Sequence, residues 1–272
     1  MTSTISAQTI LEAAKEAKTV AVSPEKLEAS RELLAWLKDT RALYEKAAET
    51  GEELYAQTCL EGRSNAFKSL LFETLGSGEI RILIDGGTVR MEETAIPALW
   101  RMLVRDKDLL VASCVPAVVL EACRKGEAAI VEPEEKPAGL FASPAILSEL
   151  RAALSACDLE KIDPNAVPMA VELSRQPLSP ADRTYLNAVL GKGSVEVQMK
   201  GFAKSRIEQT RIRGLWRSRI LNNAGKELMD AVLVAALPSE IPTTPEDFPL
   251  AIAKLTAEIE WLERDIARST PA

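Results

Sequence analysis

Histidine is absent from all 272 residues, so no imidazole base, histidine metal ligand or Ser-His triad operates in this chain. Long apolar runs are missing too. The longest, Leu109 to Leu120, ends at Glu121, well short of the ~20 residues that span a bilayer. Met1 to Thr9 is mostly polar and Lys15 is the first basic residue, which argues against a signal peptide. A cytoplasmic protein without membrane insertion is expected. Cysteine is scarce: Cys59, Cys114, Cys123 and Cys157 include no C-x-x-C pair. Disulfides are unusual in the cytosol and structural zinc uses tight ligand pairs, so the four are expected to be small buried apolar residues, with a metal or redox role as the lesser alternative; no metal and no cofactor is the expectation.

What remains is the composition of a globular protein, 47% hydrophobic and 27% charged, long enough for two modest domains or one large one. The net charge of −7 is unevenly spread. Residues 1–150 carry all of it, and residues 151–272 are balanced. Within the second half, Lys192 to Lys226 holds nine Lys/Arg against Glu196 and Glu208, a local excess of +7.

The first third reads as helix. Ala7 to Lys18 carries Ile10, Leu11 and Ala14 on one face, and Ser23-Pro24-Glu25 is a helix start. Leu27, Leu33, Leu34, Leu37 and Tyr44 then keep a helical period, and Gly51 interrupts before a further helical stretch. Strand-like texture follows over Glu79–Ile84, Val89–Ile96, Trp100–Val104 and Leu109–Cys114, with a short helix to Cys123. Lys125 to Ser143, rich in proline, glycine and glutamate, reads as a linker ahead of a helix ending near Cys157. Ser179-Pro180-Ala181-Asp182 opens another helix, stopped by Gly191. Strands are expected at Val195–Lys200, Ile207–Ile212, Leu215–Leu221 and Leu228–Val234, then an amphipathic helix over Phe248–Arg268.

The two strand-rich passages match each other. At an offset of 115, Ser64, Ala66, Leu71, Leu75, Gly76 and Gly78 recur as Ser179, Ala181, Leu186, Leu190, Gly191 and Gly193. At 116, Arg90, Glu92, Thr94, Ile96, Leu99, Trp100 and Arg101 recur as Arg206, Glu208, Thr210, Ile212, Leu215, Trp216 and Arg217. Both L-G-x-G turns and both tryptophans fall into place, which chance agreement of common residues does not achieve. The expected fold is therefore α+β, two repeated units of a helix on a small antiparallel sheet, with an added N-terminal helical segment. The expected divisions are 1–63 for that segment, 64–124 for the first unit, 125–163 for the linker and helix, and 164–272 for the second unit. Trp100 and Trp216 are expected to anchor each helix to its sheet. The L-G-x-G turns follow a helix and precede a strand, the reverse of a phosphate cradle.

Leu178-Ser179-Pro180-Ala181-Asp182, Leu190-Gly191-Lys192-Gly193, Ile207-Glu208-Gln209-Thr210 and Gly214-Leu215-Trp216-Arg217, as a set and in this order, resemble the C-terminal domain of the HupH/HyaF family. Leu75-Gly76-Ser77-Gly78-Glu79 and Glu93-Thr94-Ala95-Ile96-Pro97-Ala98-Leu99-Trp100-Arg101 look like that family's first repeat. The resemblance spans about Ser64 to Pro238. It departs at Arg213, where the first unit has Pro97, and at Ser218-Arg219 after the second tryptophan. It implies an accessory protein of nickel-iron hydrogenase maturation. Its client would be the hydrogenase small subunit precursor, which carries the iron-sulfur clusters, and it would act beside a thioredoxin-like accessory protein. No catalytic residue is carried over.

The residues agree with a non-enzymatic role. Acid–base work without histidine would fall to Asp, Glu, Lys, Tyr or Cys, and no carboxylate pair stands out from solvated helix faces, turns or the linker. The basic stretch supplies the candidate docking surface instead: Lys200, Lys204, Arg206, Arg211, Arg213, Arg217 and Arg219, with Trp216. Arg211 with Arg213, and Arg217 with Arg219, would each project from one face of a strand toward an acidic partner. A solvated face with scattered ion pairs is the bland alternative. RNA is the rival ligand; the overall acidity and the 4% of aromatics, with only Phe202 and Trp216 nearby, weigh against it. The free edges of such small sheets leave strand-to-strand self-association open.

Overall fold

The computed structural model describes residues 23–162, 167–200 and 204–269. The helix expected over Ala7–Lys18 lies outside them. Helix α1, Pro24–Thr50, starts where the sequence signals it: Ser23 Oγ accepts the Lys26 amide at 3.2 Å, and proline fills the first turn. It ends at Gly51, whose φ of 69° suits only glycine without strain. Beyond it the structure corrects the expectation of further helix. Tyr55–Cys59 form strand β1, with alternating exposure, hydrogen-bonded to the end of the sheet. Five residues give too short a window for period two to stand out from period 3.6.

The remaining order is α2 (Asn65–Leu75), β2 (Ile80–Ile84), β3 (Val89–Glu93), β4 (Leu99–Val104), β5 (Lys107–Ser113) and α3 (Ala117–Cys123). There follow α4 (Ser143–Ala156), β6 (Met169–Glu172), α5 (Pro180–Leu190), β7 (Val195–Met199), β8 (Lys204–Gln209), β9 (Leu215–Leu221), β10 (Glu227–Val234) and α6 (Phe248–Ser269). Helix and antiparallel strand are thus combined as α+β. The strands do not make two small sheets, however. They form one antiparallel sheet of ten, in the order β1-β5-β4-β3-β2-β7-β8-β9-β10-β6. The junction is β2 on β7, with Ile82 opposite Val197, residues that the offset of 115 sets against each other. Among the described strands only β1 and β6 lie at an edge, so the junction edges are closed to self-association.

Each half runs strand, helix, four strands, and its first strand pairs with its last. The local chemistry matches as well. Thr94 Oγ1 bonds both Ile96 N and Ile96 O, as Thr210 Oγ1 does with Ile212. Gly78 N reaches Glu93 O, and Gly193 N reaches Gln209 O. A methyl at either glycine would strike a threonine carbonyl, 2.6 Å from Thr94 O or 2.3 Å from Thr210 O, which is why both turns need glycine.

The two faces of the sheet bury different things. On one, Trp100 and Trp216 are fully buried in a single cluster with Ile82, Met91, Val197 and Ile207, covered by Val119 and Ala122 of α3 and by Leu237 and Ile241. Their indole nitrogens donate to Ser113 O at 2.9 Å and Ala235 O at 3.0 Å. The expected role is therefore corrected: neither tryptophan clamps the helix of its own half, because both point to the opposite face, into a core the halves share. The other face carries two separate cores. Helices α1, α2 and α6 cover Leu99, Leu110 and Ala112 at one end, and α4 and α5 cover Leu215, Val232 and Val234 at the other.

The stretch from Lys125 to Ser143 has no helix or strand until Ser143, yet it is packed. Glu127 exchanges backbone hydrogen bonds with Arg211 and Arg213, and Ile130 is buried in the α4–α5 core. Glu132 accepts from the Tyr185 hydroxyl at 2.7 Å and pairs with Lys136 and Arg151, bonds that hold its carboxyl down to about 2. Of the cysteines only Cys123 is buried, its thiol pushed up to about 12 by desolvation. Cys114 and Cys157 are half-buried and Cys59 is exposed, contrary to the expectation of four buried thiols. No described helix is long and apolar enough to cross a membrane.

Candidate docking face

Alternation along the central strands sends every second side chain away from the tryptophan core. In register, Leu83 and Arg81 of β2 stand between Arg90 and Glu92 of β3 on one side and Glu196 and Gln198 of β7 on the other. Glu208 and Arg206 of β8 come next, then Arg217 and Arg219 of β9. The helical layers cover the ends of this face, leaving a polar middle that spans both halves. Arg101 and Arg217 mark its borders. Arg101 grips Asp108 through two bonds of 3.0 and 2.7 Å with its guanidinium 3.8 Å from the Phe72 ring centre of α2. Arg217 grips Asp230 at 2.8 and 2.6 Å and bonds Asn187 of α5. Each of these arginines ties a helix to the sheet.

Between them the charges are layered. Glu196 and Glu208 lie directly opposite each other, a repulsive arrangement unless cations intervene. Lys192 Nζ sits 3.1 Å from Glu196 and 3.3 Å from Glu208, Arg206 lies 2.5 Å from Glu196, and Arg219 pairs with Glu208. Burial alone would push the Glu196 carboxyl up. Hydrogen bonds from Gln198, Arg206 and Lys192 outweigh it and hold the group at about 2. The two carboxylates form the floor, with side chains 10% and 13% exposed, while those of Lys192, Arg206 and Arg219 retain 62%, 42% and 34%. Arg81 pairs with Glu92 at 2.6 Å, and Arg90 is exposed without a carboxylate partner among the described residues.

The sequence-predicted residues fall in different places. Arg206, Arg217 and Arg219 lie on this face; Lys200 is exposed just past β7, and Lys204 opens β8. Arg211 and Arg213 are not on a strand. They belong to the turn 210–214, closed by the Thr210 side chain and by Gly214 at φ 82°. There Arg211 lies 3.5 Å from Glu127, and Arg213 is 2.5 Å from Glu160 and donates to Leu159 O. Trp216 is under the opposite face and presents nothing to a partner. The sequence excess of +7 thus disperses in space, because Glu127, Glu160 and Asp230 come from outside the basic stretch. Arg81, Arg90 and Lys192 were missed. The match of Arg90 and Glu92 to Arg206 and Glu208 was the signal that could have found the first half's share.

One difference between the halves carries a test. Gln209 is buried and its amide donates to Cys123 O at 3.0 Å and Lys125 O at 3.1 Å. At the matching position stands Glu93, whose carboxyl is pushed up to about 7 by burial and by Asp247 and Glu79, with Lys254 acting the other way. A raised folded-state value means that stability from this group is complete below its ordinary value of 4.5 and is lost as pH rises to about 7. Glu93→Gln is expected to raise the Tm at pH 8 and to leave it near wild type at pH 5. Equal shifts at both pH values, read by thermal melts, would refute this.

The C-terminal conserved region of the HupH hydrogenase expression proteins matches residues 140–262. A hydrogenase expression/formation protein HoxQ of Azotobacter vinelandii is 32% identical over 214 residues, 75% of this chain and 73% of that protein. HupH of Rhizobium leguminosarum bv. viciae is 28% identical over 197 residues, covering 69% and 68% of the two chains. The hydrogenase-1 operon protein HyaF of Escherichia coli (strain K12) is 25% identical over 200 residues, covering 69% and 67%. These findings define an accessory protein of hydrogenase expression. The chain belongs to the HupH/HoxQ family of hydrogenase expression/formation proteins.

Proposed function

We propose that this protein is a non-enzymatic accessory that holds a nickel-iron hydrogenase small subunit precursor in the cytoplasm while its iron-sulfur-carrying chain is assembled. A thioredoxin-like accessory protein works beside it. Family membership carries the reading: relatives matched over two thirds of their length bear the name of hydrogenase expression or formation. The two halves are, in this reading, copies of one unit joined edge to edge, so that one open sheet face serves a single large client. Lys200, Lys204, Arg206 and Arg219 contribute to contact, whereas Arg211 and Arg213 hold the 127 and 160 segments in place and Arg217 ties α5 to the sheet. RNA fits this face less well, since its described side chains include no aromatic on which a base could stack.

The test is an anaerobic pull-down of the tagged protein from a hydrogenase-expressing host, with mass spectrometry of what is bound. Recovery of the small subunit precursor, with or without the thioredoxin-like protein, is expected. Recovery of no hydrogenase component while the enzyme is being made would overturn the proposal.

A further inference from the structure

We infer that the open face across both halves is a docking surface for an acidic, carboxylate-bearing segment of another protein, an inference that rests on the client-holding reading above. Charge complementarity carries it. Among the described residues, Arg81, Arg90, Lys192, Arg206 and Arg219 stand at the surface between the Arg101–Asp108 and Arg217–Asp230 pairs, against Glu92; Glu196 and Glu208 form the floor beneath. In a chain of net charge −7 this is a cationic exception.

The guanidiniums are held but not saturated. Glu92, Glu196 and Glu208 each engage a terminal nitrogen of Arg81, Arg206 and Arg219, whose side chains stay 39%, 42% and 34% exposed. Each guanidinium has five donors, so N–H groups remain for an incoming carboxylate. The floor carboxylates orient the side chains before any partner arrives, which lowers the ordering cost of binding. Leu83 and Leu103, part-exposed in the same register, offer apolar contact between the cations. Strands about 4.8 Å apart set the spacing, so the partner's carboxylates would repeat at steps of one or two strand widths. Nucleic acid phosphate is the other anion chemistry; the leucines, and the lack of a stacking ring among the described side chains of β2, β3 and β7–β9 on this face, favour protein.

The probes are a synthetic peptide alternating glutamate and leucine, a single-stranded oligonucleotide of equal charge, and the small subunit precursor in the pull-down. The variants are Arg90→Glu and the pair Arg81→Gln with Arg206→Gln, accepted only if circular dichroism melts match wild type. Lys192→Gln, which removes an exposed ammonium without adding a carboxylate beside Glu196 and Glu208, serves if the pair fails to fold. Wild type is expected to bind the peptide, with affinity falling at least about tenfold between 50 and 300 mM salt, as paired charges in water do. The variants are expected to lose about tenfold for the peptide and to release the precursor. Precursor recovery unchanged in folded variants would overturn this surface while leaving the client-holding reading intact. No precursor with wild type would overturn the reading itself. Tighter binding of the oligonucleotide than of the peptide, lost in the same variants, would overturn the acidic-protein occupant.

Discussion

Asp182→Ala is expected to cost about 3–5 kcal/mol of unfolding free energy, the range for stripping a buried charged acceptor from its donors. Asp182 is fully buried and accepts four bonds. Its Oδ1 takes Phe141 N at 3.0 Å, Ser143 N at 3.0 Å and Ser143 Oγ at 2.7 Å, and its Oδ2 takes Ser179 N at 2.9 Å. One carboxylate therefore closes the capping box of α5 and also fastens the start of α4 to it. Alanine would strand all four donors in a core that holds Leu147, Leu150, Leu186 and Val189. Asp182→Asn keeps the shape but turns an N–H toward one of those donors, so it should lose part of the same energy. Burial opposes the charge here, but the bonds from Ser143 and Ser179 outweigh it and hold the carboxyl far below its ordinary range. The sign follows: this stability is present above about pH 4 and declines as pH falls through the folded-state value. Urea melts at pH 7 decide it, and a loss under 1 kcal/mol for the alanine variant would sink the argument.

The second large effect concerns the tryptophans. Trp100→Ala and Trp216→Ala are each expected to cost about 3–5 kcal/mol, as for other buried aromatic truncations, with a stranded carbonyl at Ser113 or Ala235 besides. Both side chains occupy one cluster, so the double variant is expected to be unfolded at room temperature. If Trp216 instead served as a partner contact, its loss would weaken binding and leave the melt unchanged. Denaturant titration alongside the precursor pull-down separates the two.

How much of this was legible beforehand depends on range. The helix starts at Ser23 and Ser179, the glycine stops and the strands after each L-G-x-G turn rest on neighbours within a few residues, and those were readable. Strand β1 was not, because its five residues gain their conformation from pairing with β5, some fifty positions away. Arg211 and Arg213 read as strand because apolar and charged residues alternate through them. The Thr210 side chain instead closes a turn on Ile212, an interaction that competes with continued extension. Lys125–Ser143 read as a linker from its prolines and glycines, although its backbone is held by Arg211 and Arg213 across the chain.

The candidate face divides the same way. The sequence by itself determined the family resemblance, the internal match of its two halves, the exclusion of histidine chemistry and the basic excess over Lys192–Lys226. Tertiary structure alone decided which of those cations face solvent and which are spent. Joining β2 to β7 carried Arg81 and Arg90 alongside Arg206 and Arg219, while Glu127, Glu160 and Asp230 were brought in to neutralise Arg211, Arg213 and Arg217. Composition along a chain counts charges. Their net effect falls with distance in space, and only the strand register sets that distance.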